Sequence, residues 1–256
     1  MYIDLGFVKI YYYSITILLA VLIGGFLFFK EAKKQNIKKE DIEDILFITL
    51  IFGFLGARLY YVLFNLKYYL SNPLEILMVW HGGLAIHGGI ILGAIALIYK
   101  CKKKNISFLK VLDIAAPSVI IAQAIGRWGN FFNQEAHGPA TTLSNLKNLH
   151  IPNFIIKGMK IDKVYYHPTF LYESLWNILG FILIILIRKY KKPKKEGVLI
   201  GIYFMWYSLA RFFIESLRTD SLMFFNLKVA QLVSILLFLL GAYLVFIRKD
   251  KKSIKK

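Results

Sequence analysis

A single cysteine, Cys101, occurs among 256 residues. One thiol excludes an internal disulfide framework and any metal centre built from several cysteines. Acidic residues are scarce as well: 15 Asp and Glu stand against 33 Lys and Arg, for a formal net charge of +18. In a soluble chain that imbalance suggests nucleic acid. Here the basic residues form short clusters between apolar runs and no basic stripe lies on a soluble fold, so no nucleic-acid partner is expected. The N-terminus lacks a basic segment leading to a small-residue cleavage site, so the first apolar run reads as a retained span. His81 and His87 are six residues apart, about 600° of helical rotation, and face different sides of a regular helix. No His-Glu-x-x-His occurs either, and neither a metal nor another cofactor is expected.

What the sequence has in excess is hydrophobic length. It is 57% hydrophobic and only 19% charged, against about 45–50% and about 25% in soluble domains. The excess falls in runs near the roughly 20 residues that cross a bilayer: 10–29, 45–64, 84–99, 111–128, 169–187, 198–214 and 229–247. The third is short, and 76–80 is read as a bent or re-entrant extension of it. Segments 30–39, 100–104, 188–195 and 248–256 carry five, four, six and six Lys or Arg. These are every second connection. The positive-inside rule makes them cytoplasmic. The expectation is therefore an all-α polytopic membrane protein, one domain over 1–256, with seven transmembrane helices, its N-terminus outside and its C-terminus cytoplasmic. Segment 130–167 is the one long polar loop. Loops of such length are usually functional or disordered, and this one is read as a folded external cap after the fourth helix.

Polar residues inside the runs point to a site, because charge at membrane depth costs roughly 2.5–3.5 kcal/mol per residue. Gly126-Arg127-Trp128-Gly129-Asn130-Phe131-Phe132-Asn133-Gln134-Glu135-Ala136-His137-Gly138 ends the fourth run. Arg127 has no acidic neighbour three or four positions away, so a phosphate is a natural partner: the planar guanidinium fork grips phosphate through two parallel hydrogen bonds. Snorkelling to headgroups is the alternative. Tyr207, Arg211 and Glu215 follow at i, i+4 and i+8 on the sixth run, with Arg218 returning to that face if the helix persists. Their bland reading is an intrahelical Arg211–Glu215 pair. His87 lies in His87-Gly88-Gly89, early in the third run. It is a proton acceptor or a hydrogen-bonded packing element. Arg58 lies near the outer end of the second run, where it either snorkels or joins the same anion site. Glu173 enters the fifth run early, and its pairing with one of the arginines is left open.

By topology these groups sit toward the outer leaflet. They describe an outward-facing cationic pocket in a helix bundle, suited to a phosphate-bearing lipid. Two classes of function compete: an enzyme acting on a phospholipid headgroup, and a transporter of organic anions or lipids. A transporter is expected to carry an internal pseudo-repeat with matched broken helices. None is evident, which favours the enzyme.

At these residues the chain resembles the prolipoprotein diacylglyceryl transferase family. Gly126–Gly138 fits the family signature Gly-Arg-x-Gly-Asn-Phe-x-Asn-x-Glu-x-x-Gly at every fixed position. His87-Gly88-Gly89, His167-Pro168-Thr169-x-x-Tyr172-Glu173 and Tyr207-x-x-x-Arg211-Phe212-x-x-Glu215 match in order. The resemblance implies transfer of the diacylglyceryl group of phosphatidylglycerol to the lipobox cysteine of a prolipoprotein, with formation of a thioether and release of glycerol phosphate. This is the first step of bacterial lipoprotein maturation, at the outer face of the plasma membrane. It implies catalytic roles for His87, Arg127 and Arg211. Tyr13, Arg58, Asn130, Asn133, Glu135, Gly138, Tyr207, Glu215 and Arg218 are expected to bind substrate. The chain departs from the family at Tyr12-Tyr13-Ser14, where the first span usually opens Trp-Tyr-Gly, and at His81, where histidine is not expected.

Overall fold

A computed structural model describes residues 2–4, 6, 9–193, 195–217, 223–225 and 227–249. Of the expected site residues, Arg218 lies outside them. The fold is mostly helical. A short antiparallel hairpin, β1 (Tyr2–Asp4) and β2 (Lys9–Tyr11), leads into α1 (Tyr12–Lys34). Next come α2 (Lys39–Phe64), the short α3 (Leu66–Ser71) and α4 (Ile86–Lys103). The long α5 (Phe108–Asn133) carries the motif. The stretch after it is folded: strand β3 (Ala140–Thr141), helices α6 (Leu143–Asn148) and α7 (Asn153–Gly158), and strands β4 (Lys160–Ile161) and β5 (Val164–Tyr166). The three strands form one antiparallel sheet in the order β3-β5-β4. Helices α8 (Thr169–Leu186) and α9 (Val198–Leu217) follow. A second hairpin, β6 (Met223–Phe224) and β7 (Leu227–Lys228), precedes α10 (Val229–Ala242).

Among the described residues, six helices are long and apolar enough to cross a membrane: Tyr12–Lys34, Lys39–Phe64, Phe108–Asn133, Thr169–Lys191, Val198–Ser216 and Val229–Ile247. The sequence predicts seven, and the shortfall is the third run. Gly82 and Gly83 have φ of 88° and 80°, a left-handed backbone that ends helical continuity. Segment 76–80 therefore forms short 3-10 turns, Pro73–Ile76 and Val79–His81. Helix α4 starts only at Ile86, and its last turn holds Lys100, Lys102 and Lys103. The apolar part, 86–99, extends about 21 Å at 1.5 Å per residue, short of the roughly 30 Å hydrocarbon core.

The chain divides into two compact units, Phe29–Val111 and the remainder, Met1–Phe28 with Leu112–Lys256. Within Phe29–Val111, α2 and α4 pack glycine against glycine. A Cβ on Gly56 runs into the Gly88 carbonyl, and one on Gly88 runs into the Gly56 carbonyl. Small residues let membrane helices approach this closely, so dispersion and packing drive the contact. Lys104, which caps α4, lies 2.7 Å from Asp41 and 3.1 Å from Asp44. The hydrogen bonds it donates to these carboxylates, Asp41 first, raise its pKa above the ordinary lysine value.

In the larger unit, α5 holds Pro117 in its interior. Proline has no N–H, which frees the carbonyl four residues earlier. That carbonyl, on Asp113, accepts from Arg188 Nη2 at 2.5 Å. The Asp113 side chain in turn accepts from the Gly197 and Ile200 amides at 2.7 and 2.9 Å. It satisfies two of the orphan donors at the start of α9. One short stretch of α5 thus fixes the far ends of both α8 and α9.

Candidate active site

The site is built in the larger unit from the outgoing end of α5, the first turns of α8 and the last turns of α9. Arg127 Nη2 lies 2.5 Å from Glu173 Oε2. The other Glu173 oxygen lies 3.4 Å from Arg211 Nη1, and Arg211 Nη2 lies 2.6 Å from Glu215 Oε2. The four side chains form one alternating chain of charge. The carboxylates are the deeper members, 7% and 3% exposed for Glu173 and Glu215, whereas Arg127 and Arg211 are 20% and 16% exposed. The last contact is an ion pair without hydrogen-bond alignment: Glu215 Oε2 has no hydrogen-bond partner among the described residues.

The pairing left open for Glu173 is made. Arg127 has no acidic partner nearby in sequence, and Glu173 supplies one from another helix. The intrahelical Arg211–Glu215 pair exists, but Arg211 is shared with Glu173. The four charges cancel among themselves, and Lys228 Nζ adds a positive charge beside them, donating to the Glu215 carbonyl at 2.6 Å. Pairing makes the two half-buried guanidinium groups tolerable in apolar surroundings.

The motif around Arg127 is held by the folded stretch behind it. Phe131 packs with Ile155, Met159 and Phe170 in a buried cluster. Gly129 accepts the ring of Tyr13, which a Cβ there would meet at 2.9 Å. Asn130 Nδ2 donates to Glu135 Oε1 at 3.0 Å, and the Glu135 amide donates back to the Asn130 carbonyl at 3.0 Å. Gln134 and Ala136 flank Glu135 with φ of 53° and 55°. Left-handed backbone at non-glycine residues persists where the surroundings over-determine it. Here Gln134 Nε2 donates to the Gly158 carbonyl at 2.9 Å, and Thr169 Oγ1 to the Ala136 carbonyl at 2.7 Å. Gly138 then backs onto His167 and Thr169, where a Cβ would come within 2.9 and 3.0 Å. Asn133 ends α5 and is exposed. Tyr207 stacks on Tyr203, 5.9 Å between centroids and 20° between planes. Tyr203 in turn takes a 2.9 Å hydrogen bond from Gln123, one turn before Arg127.

His87 and Arg58 belong to Phe29–Val111. His87 is exposed in the first turn of α4, its ring 6.2 Å from that of Tyr60. Arg58 is 6% exposed. Its Nε donates to the Ile76 carbonyl at 2.9 Å, and Nη1 donates to those of Gly82 and Gly83 at 2.7 and 2.9 Å. Nη2 donates to the Glu75 carbonyl. Four of its five N–H groups are therefore occupied by backbone.

Residue types alone leave the central position of Glu173 unread. It is 46 residues from Arg127 and 38 from Arg211 in sequence, and its one local signal is a carboxylate in the opening turns of an apolar helix.

The profile of the prolipoprotein diacylglyceryl transferase family matches residues 1–247. The chain belongs to that family. It is 49% identical to the phosphatidylglycerol–prolipoprotein diacylglyceryl transferase of Staphylococcus haemolyticus over 97% of this chain and 87% of that one. Identity is 50% with the Staphylococcus xylosus enzyme and 49% with that of Staphylococcus aureus strain Newman, each over 97% of this chain and 88% of the relative. This protein is accordingly a transferase of lipoprotein biosynthesis and a membrane protein with bacterial relatives. The transporter alternative falls away.

Proposed function

We propose that the protein transfers the diacylglyceryl group of phosphatidylglycerol to the lipobox cysteine thiol of a prolipoprotein at the outer face of the bacterial plasma membrane. The sulfur–carbon bond forms as the carbon–oxygen bond to phosphate breaks. A thioether is left on the peptide, and glycerol phosphate departs with the bonding electrons. The thiol proton goes to a base, for which His87 is our assignment, because the thiolate is the nucleophile and a free thiol near pKa ~8.5 is mostly protonated at neutral pH. The step is a substitution without oxidation or reduction, so its balance calls for no redox cofactor.

The observation that carries this reading is the alternating Arg127–Glu173–Arg211–Glu215 chain. The buried carboxylates orient the guanidinium groups and offset their charge. Negative charge growing on the leaving phosphate then meets two preorganised donors in a low-dielectric setting, where such donors are worth most. Asn130, Glu135, Tyr13 and Tyr207 are assigned to positioning the headgroup. Asn133 and Gly138 are carried with them by the motif, and Arg218 with Glu215 is assigned to orienting Arg211 and the leaving group. We place seven crossings in the membrane, the third made by α4 with the 3-10 turns before it as a re-entrant segment. The N-terminus and the folded 130–167 cap are then outside, and the basic clusters are cytoplasmic. Purified protein incubated with phosphatidylglycerol and a lipobox peptide should add a diacylglyceryl group to the peptide cysteine by mass spectrometry. A peptide left unmodified overturns the reading.

A further inference from the structure

Helices α8 and α9 are joined by a reciprocal clasp just below the charged chain. Trp176 Nε1 donates to the Trp206 carbonyl at 3.0 Å, and Trp206 Nε1 donates to the Trp176 carbonyl at 2.9 Å. The two rings stack with centroids 4.4 Å apart and planes 21° apart. Room for the pair comes from Gly180, where any Cβ would collide with the Trp206 indole. An indole N–H away from water needs an acceptor, and each ring finds one only when the two helices hold a single register.

The geometry points to Trp176 and Trp206 as positioning residues that set the Glu173–Arg211 contact. Trp176 lies three residues beyond Glu173 on α8, about 4.5 Å along the axis, and Trp206 lies five before Arg211 on α9, about 7.5 Å. Ser174 Oγ ties α8 to the Ala124 carbonyl of α5 at 2.9 Å; between α8 and α9, the clasp supplies the hydrogen bonds beside the charged chain among the described residues. The Glu173–Arg211 contact at 3.4 Å is the longest of the three ion pairs. A slip of one residue rise, about 1.5 Å, parts it, and a misplacement near 1 Å at a reacting centre costs as much as about a hundredfold. The crossed indole bonds resist such a slip, because sliding either helix along the other lengthens both N–H···O contacts. This assignment rests on the proposed phosphate-stabilising role of the charged chain.

The test uses the full-length protein in phosphatidylglycerol vesicles with a lipobox peptide. The variants are Trp176→Phe, Trp206→Phe and both together, each with and without Glu173→Gln. Near-ultraviolet circular dichroism reports the coupled indoles, thermal unfolding reports folding, and kcat and KM are measured separately. Each Phe variant should lose the coupled signal and lower kcat about tenfold, with KM for phosphatidylglycerol within about twofold. The double Phe variant should be no worse than the poorer single. In the Glu173→Gln background the Trp changes should cost less than about twofold, since the contact they protect is already altered. Benzothienylalanine at either position keeps the ring shape and removes only the N–H, so it guards against a cavity left by Phe. It should reproduce the loss in kcat. Unchanged kcat in the Phe and benzothienylalanine proteins overturns the assignment. So do losses that multiply with that of Glu173→Gln, which would mark the pair as general scaffolding. Unchanged turnover in Glu173→Gln alone overturns the charged-chain reading itself, whereas an impaired Glu173→Gln with multiplying Trp losses overturns the clasp alone.

Discussion

Arg58 and the pair Arg127 with Arg211 are the same residue type near the ends of apolar helices, yet the two units use them in opposite ways. In Phe29–Val111, the hydrogen bonds of Arg58 go to backbone: four carbonyls from Glu75, Ile76, Gly82 and Gly83 occupy its donors, and its guanidinium carbon lies 5.2 Å from the Tyr69 ring centroid. In the larger unit, Arg127 and Arg211 meet only the carboxylates of Glu173 and Glu215 among the ion pairs described. The first arrangement satisfies non-helical backbone, which apolar surroundings tolerate only when every polar group has a partner. The second places two positive ends beside two negative ones. One arginine closes a segment; for the others we propose an anion as further partner. Charge alone does not make a site, and the difference lies in what already faces the guanidinium group.

The largest effect should come from changing the fork while keeping the charge. Arg127→Lys and Arg211→Lys should fail nearly as badly as Arg→Ala, by roughly a hundred- to thousandfold in kcat, or about 2.7–4 kcal/mol. Near-normal turnover in both lysine variants, with normal membrane insertion, ends the phosphate-stabilising account. His87→Gln asks whether the smaller unit contributes chemistry at all. A lost general base typically costs a hundredfold or more. The loss should be greatest near neutral pH and shrink as pH rises past about 8.5, where the thiol ionises unaided. A loss that does not vary with pH removes His87 from the proton transfer.

Arg58→Ala should act on the fold. Unpaired buried carbonyls cost about 1–3 kcal/mol each, so thermal stability should drop while KM for phosphatidylglycerol in the surviving folded protein stays within about twofold. A large rise in KM with unchanged stability would give Arg58 the headgroup role that the family resemblance implies, and erase the contrast between the two arginine settings. Glu173→Gln keeps size and a hydrogen-bonding oxygen but leaves the four-residue chain with a net positive charge. We expect a fall of about tenfold in kcat, with KM for the anionic lipid lowered or unchanged. A raised KM would mean that Glu173 contacts the lipid directly.

Much of this was readable from residue order because bilayers impose local rules. A helix that must satisfy its own backbone in hydrocarbon declares itself as an apolar run, and six of the seven expected runs are helices long enough to cross. The remaining one, the third, departs where two adjacent glycines take left-handed φ, a choice that the His81-Gly82-Gly83 triplet permits without requiring. The motif arginines stood out because a charge in an apolar run is costly whatever surrounds it. Glu173 stood out as a candidate partner on the same ground, but that it meets both arginines is decided only once α5, α8 and α9 have packed.

Sequence by itself thus determined the membrane class, the helical runs and the family, because hydropathy and a thirteen-residue motif are properties of neighbouring residues. Tertiary structure alone decided that Glu173 bridges Arg127 and Arg211, that Arg58 serves backbone carbonyls, and that two tryptophans hold α8 and α9 in register. Each of these depends on which side chains meet across tens of residues of chain. Such meetings are settled by packing and by the need to pair every buried polar group, and no local pattern encodes them.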